Sequence, residues 1–82
     1  SEHIEGFVDI LRTIKGVLVS ILYLELEENY YKLSIRSKGQ TNVERVARHF
    51  GGGGHTNAAA CQIRGSLTDV KRQVLDVLRA VL

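Results

Sequence analysis

The sequence contains no proline and only one cysteine, and its longest apolar run, Val17 to Leu26, is broken by Ser20 and Glu25. The lack of proline excludes a long proline-rich linker. A single cysteine, Cys61, excludes an internal disulfide, and a lone thiol suits a reducing compartment. The short apolar run excludes a membrane helix, which needs about 20 predominantly apolar residues. Ser1-Glu2-His3-Ile4-Glu5 has neither the basic flank nor the apolar stretch of a secretory signal, so a cytoplasmic chain without a membrane partner is the expectation. What remains is 82 residues, 44% hydrophobic and 24% charged, which is room for one globular domain with a small core.

The net charge of +2 hides an asymmetry. Residues 1–32 carry six acids and three bases, whereas residues 33–82 carry eight bases and three acids. Between positions 36 and 64 there are five bases and one acid, a bias that attracts an anionic ligand or a phosphate backbone.

Hydrophobic spacing gives the elements. Ile4, Phe7, Val8, Leu11 and Ile14 recur at intervals of three and four, which predicts a first helix ended by Gly16. Val17 to Leu26 is apolar on both alternating sets and predicts an inner strand covered on two faces. After the polar break Glu27-Glu28-Asn29, Tyr31, Leu33 and Ile35 alternate with Lys32, Ser34 and Arg36, predicting a hairpin partner with one buried and one polar face. Thr41 and Glu44 have capping-box spacing ahead of Val43, Val46, Ala47 and Phe50, a second helix that Gly51 closes in a left-handed conformation. Ala60 to Arg64 reads as a short third strand. Ser66 and Asp69 then repeat the capping pattern before Leu67, Val70, Val74, Val77, Leu78 and Val81, the final helix. The expected fold is therefore α/β (α+β): a small mixed sheet of at least three strands flanked by helices, in the order helix, strand, strand, helix, strand, helix.

Half of the eight glycines fall in one run, Gly51-Gly52-Gly53-Gly54, followed at once by His55. Four glycines in succession lose much backbone entropy on folding, and a flexible connector competes with a constrained loop as the explanation. The run joins an amphipathic helix directly to Ala58-Ala59-Ala60, with no serine among the glycines, which favours the loop. Such a loop can turn successive amides towards an oxyanion, and a following helical turn would add its positive end. His55 can donate to the same anion. No Gly-Lys-Ser/Thr follows, so the run is not a Walker loop, and it does not follow a strand as the dinucleotide fingerprint requires. Arg36 and Ser34 share one strand face and Gln62 and Arg64 another; if the two faces coincide they make a patch able to grip phosphate through a guanidinium. The histidines are scattered and no acid lies between Glu44 and Asp69, so the sequence shows no metal site.

Arg36-Ser37-Lys38-Gly39, the capped helix ending in Phe50, and GGGGHTNAAA at positions 51–60 together resemble the substrate-binding domain that follows the catalytic domain in DHH-family phosphoesterases. That family includes RecJ-like exonucleases, the bifunctional oligoribonuclease and phosphoadenosine phosphate phosphatases, and cyclic dinucleotide phosphodiesterases. The resemblance implies a domain that binds a nucleotide or short oligonucleotide and presents its phosphoester to manganese or magnesium held by a separate catalytic DHH domain. Carried over by motif, Arg36 and Ser37 contact substrate phosphate or sugar, Gly51, Gly52, Gly53 and Gly54 form a backbone cradle, His55 donates to phosphate, and Asn57 assists.

Two departures accompany the resemblance. The family's Ala-Ala-Gly ends here as Ala58-Ala59-Ala60, and the Asp-His-His signature is missing, which implies a fragment of a longer phosphoesterase or a free-standing binding module, not hydrolytic alone. A related glycine-rich domain closes alanyl-transfer-RNA synthetases and binds RNA, but an arginine commonly stands there in place of His55. A purely structural module packing on a neighbour is the third reading.

Overall fold

The computed structural model describes residues 18–82 in full and the backbone of Gly6–Arg12. Within these residues the elements are β1 (Gly6–Arg12), β2 (Leu18–Glu27), β3 (Tyr30–Ser37), α1 (Glu44–His49), β4 (Gly53–His55), β5 (Ala58–Arg64) and α2 (Leu67–Val81). The strands form one sheet in the order β1-β2-β3-β5-β4, with every neighbouring pair antiparallel. α1 carries the chain from β3 past β5, so that β4 becomes the sheet edge and runs parallel to β3 with β5 between them.

The alternation expected of β3 sets the layering. Tyr31, Leu33 and Ile35 are buried, as are their β5 partners Ile63, Cys61 and Ala59. Val46 and Ala47 of α1 and Val70, Val74 and Leu78 of α2 pack into the same cluster, so both helices cover this one side of the sheet. Lys32, Ser34 and Arg36 point to the opposite side. The turn between β2 and β3 places Asn29 at φ 58, a left-handed conformation that asparagine tolerates, and its carbonyl accepts from the Gly65 amide at 2.8 Å, tying the turn to the end of β5.

The α/β class and the order of elements from β2 onward, apart from the added strand β4, agree with the sequence reading. Four details differ. The segment read as a first helix is strand β1 over Gly6–Arg12, with Ile4, Ile14 and Gly16 outside the described residues, because pairing with Leu18–Leu24 of β2 gives its backbone hydrogen-bond partners along one side. The sheet is wholly antiparallel among neighbouring described strands, not mixed, and gains the short edge strand β4. β2 is an inner strand, but only Val19, Ile21 and Tyr23 are fully covered; Leu22 and Leu24 are half-buried and Leu18 is 44% exposed, because the helices occupy one side. At the start of α1 the Glu44 amide donates to Asn42 Oδ1 at 3.0 Å, while the Glu44 carboxylate accepts from Arg48 at 3.0 Å and does not reach back towards Thr41. The second capping pattern forms as read, with the Asp69 amide donating to Ser66 Oγ at 3.2 Å.

Candidate functional site

Register brings the residues of the glycine run and the basic strand together. Arg36 of β3 lies opposite Ala58 of β5, and Ala58 lies opposite His55 of β4. Directly opposed residues of antiparallel strands project to the same side, so Arg36, Ala58 and His55 form one row on the side away from the helices. With strands about 4.8 Å apart, the outer two backbones of this row are about 10 Å apart, and the residue between them is only a methyl group. The adjacent row is Ser34, Ala60 and Gly53. The result is a shallow depression of about 240 Å³ whose floor is Ala58, Ala60, Gly53 and Gly54 and whose wall carries Arg36 and Ser34. Arg36 and His55 are both exposed, and among the described residues no carboxylate pairs with Arg36.

The four glycines divide by role. Gly51 takes φ +83 and its amide donates to the Arg48 carbonyl, while the Gly52 amide donates to the Ala47 carbonyl at 2.9 Å, so both cap α1. A Cβ on Gly52 would stand 2.1 Å from the Ala60 carbonyl oxygen, and one on Gly54, at φ +146, would stand 2.6 Å from the Ala58 oxygen. A Cβ on Gly53 would meet nothing within 4 Å. The expected convergence of all four amides on one anion, with a helical turn behind them, is therefore not the geometry adopted. Two amides turn back on α1, and the chain continues into the β4–β5 hairpin instead of a helical turn.

Ser37 and Asn57 are brought together, and they bond to each other. Asn57 Nδ2 donates to Ser37 Oγ at 3.1 Å and to the Gly39 carbonyl at 3.0 Å, while Ser37 Oγ donates to the Thr41 carbonyl at 2.7 Å. The Ser37 and Val43 amides donate to the carbonyls of Asn57 and Thr56. This network fastens the loop after β3 to the β4–β5 turn and so fixes Arg36 relative to His55. The faces carrying Arg36 and Arg64 do coincide, but at opposite ends: Arg64 lies beside Tyr30, its guanidinium 4.1 Å from that ring's centroid. Sequence reasoning passed over Ala58 and Ala60 as floor residues; their alternation with the buried Ala59 was the available signal.

Among the described residues, no three His, Cys, Asp or Glu side chains gather to hold a metal ion.

Cys61 lies under the floor, and burial pushes its thiol up to about 11. In an unfolded chain a thiol ionises near about 8.5, so between these values the unfolded state loses its proton first and stability falls as pH rises. Denaturant titrations at pH 8 and pH 10 are expected to register a loss of up to about 1.4 kcal/mol per pH unit inside this window. Cys61→Ala removes that component; an equal loss in the variant would assign it to other groups.

The described residues thus form an antiparallel sheet with helices on one side and a basic, small-floored depression on the other. The whole chain, residues 1–82, matches the DHHA1 domain family and belongs to it. It is 35% identical over 82 residues to the bifunctional oligoribonuclease and PAP phosphatase NrnA of Thermus thermophilus, covering 99% of this chain and 25% of that protein. Against the NrnA of Mycoplasma pneumoniae it is 34% identical over 74 residues, 90% of this chain and 22% of the relative. Against the cyclic-di-AMP phosphodiesterase PdeA of Listeria monocytogenes it is 29% identical over 73 residues, 88% of this chain and 11% of the relative. The chain thus spans a quarter or less of these relatives' length, and it corresponds to the DHH-associated domain of DHH-family phosphoesterases. Among the described residues no helix is long and apolar enough to cross a membrane.

Proposed function

We propose that the open side of the sheet binds the phosphate of a nucleotide or short oligonucleotide and presents the adjoining phosphoester to a catalytic DHH domain. Arg36 supplies a forked, permanently charged donor, and His55 supplies a second donor from across Ala58. Gly53 and Gly54 keep the floor bare, so that an anion can approach the backbone between them. Gly51 and Gly52 shape the loop, and Ser37 and Asn57 hold the two donors in register. The manganese or magnesium chemistry belongs, in this reading, to the catalytic domain.

The observation that carries the proposal is the Arg36–Ala58–His55 row beside Gly53, whose missing side chain no neighbouring atom requires. The names of the relatives, an oligoribonuclease and PAP phosphatase and a cyclic-di-AMP phosphodiesterase, support a nucleotide ligand. Two or three charge-assisted hydrogen bonds at about 1.5–3 kcal/mol each, less association costs, put the affinity of the domain alone between micromolar and millimolar. Titrating the 82-residue chain with adenosine 5′-monophosphate is expected to shift the amide resonances of residues 53–55 and 36, with added salt weakening the response. Arg36→Ala is expected to weaken binding about tenfold or more, the equivalent of one charged hydrogen bond. Unmoved amides at 53–55, with shifts elsewhere, would refute the reading.

A further inference from the structure

The two edges of the sheet are unlike. β4 is blunted: it has three residues, two of them glycine, Gly54 takes φ +146, and α1 packs against it. β1, at the other edge, runs for seven residues in uninterrupted register with β2, and among the described residues it pairs with β2 alone. An antiparallel neighbour on one side leaves every second residue of β1 with its N–H and C=O directed outward, a template for one more strand. We infer that a second copy of this chain pairs antiparallel with β1 across a twofold axis at Asp9, joining two five-stranded sheets into one.

Three features select a second copy as the occupant. Phe7-Val8-Asp9-Ile10-Leu11 has the same pattern in both directions, with two apolar residues on each side of Asp9. Antiparallel pairing with its own copy therefore sets Phe7 opposite Leu11 and Val8 opposite Ile10, apolar against apolar, with Gly6 opposite Arg12 at the ends. β1 holds neither of the residues that commonly guard an edge, proline and lysine, and its one acid and one base leave the strand without net charge, so two copies meet there without overall repulsion. Because β4 is blunted, each copy offers one such edge, and an isologous pair closes at two chains instead of growing into a fibre.

The cost of this register lies at its centre, where Asp9 meets Asp9 of the second copy. Like charges directly opposite weaken a strand pair. An edge contact of seven residues also belongs with the small interfaces, below about 1,200 Å², so the dimer is weak, with a Kd of about 100 μM. A twofold axis perpendicular to the sheet keeps both helix layers on one side and both open sides on the other. β2 separates β1 from β3, which carries Arg36, so the pairing leaves the depression uncovered, and the inference does not rest on the phosphate reading. The two Arg36 strands then lie five strand spacings apart, about 24 Å, with their depressions opening in one direction.

Sedimentation equilibrium of the 82-residue chain from about 10 μM to about 1 mM is expected to show a mass rising from one chain towards two. Asp9→Asn removes the repulsion at the axis and is expected to tighten the dimer about threefold. The register is read by oxidation of single-cysteine additions. Asp9→Cys lies directly opposite its own copy and is expected to cross-link two chains, whereas Arg12→Cys lies about 20 Å from its copy and is expected to leave them separate. The unaltered chain, whose Cys61 is buried, is the control. A mass of one chain at every concentration overturns the inference and leaves the edge to a different protein. A dimer that Asp9→Asn does not tighten, or that Arg12→Cys cross-links as readily as Asp9→Cys, also overturns it, because the contact then lies on another surface or in another register.

Discussion

Gly52→Ala is expected to cost about 3 kcal/mol of stability, because the new carbon has no space that a rotamer change can create. It would lie 2.1 Å from the Ala60 carbonyl oxygen, 2.8 Å from Cys61 Cα and 2.7 Å from Cys61 Cβ. All three are backbone or first side-chain atoms, so relief requires parting the end of α1 from β5. That movement would break the hydrogen bond from the Gly52 amide to the Ala47 carbonyl and lift the floor beneath Ala60. A domain of this size has on the order of 4–12 kcal/mol in all. A urea midpoint lowered by a quarter or more is therefore the expected result, and a midpoint equal to the unaltered chain's would show that the loop does not press on β5.

Much of this arrangement was legible in residue order, and the failures have physical causes. The strict alternation from Tyr31 to Arg36 and the Ser66 cap ahead of α2 each report local structure that tertiary packing reinforces. The segment from Phe7 to Leu11 carries apolar residues at both helical and alternating spacings, and a short run of that kind is decided by its partner, here β2. β4 was invisible for a different reason: two of its three residues are glycines, which have no side-chain pattern to read, and only pairing with Ala58–Ala60 makes them a strand. The types of the site residues could be read from the motif, but the row joining Arg36 to His55 depends on a register between segments 19 positions apart. No local signal encodes such a register.

That register also explains why one glycine behaves unlike its neighbours. Gly53→Ala is expected to leave stability within about 0.5 kcal/mol, or to raise it slightly by restricting the unfolded chain, because the added methyl meets nothing and Gly53 does not occupy a left-handed conformation. The same methyl stands on the edge strand opposite Ala60, across the floor from the Ser34 and Arg36 wall. An anion drawn to Arg36 and His55 would have to ride higher over it and lengthen both hydrogen bonds, which weaken steeply once their geometry degrades. Nucleotide affinity is expected to fall about tenfold, the worth of roughly one such bond. Stability and binding thus move in separate directions at Gly53 and together at Gly52. Calorimetric titration of Gly53→Ala with adenosine 5′-monophosphate, beside its urea curve, reads both quantities. Affinity equal to the unaltered chain's would mean that the ligand does not approach the backbone at this position, and would move the phosphate site away from the floor of the depression.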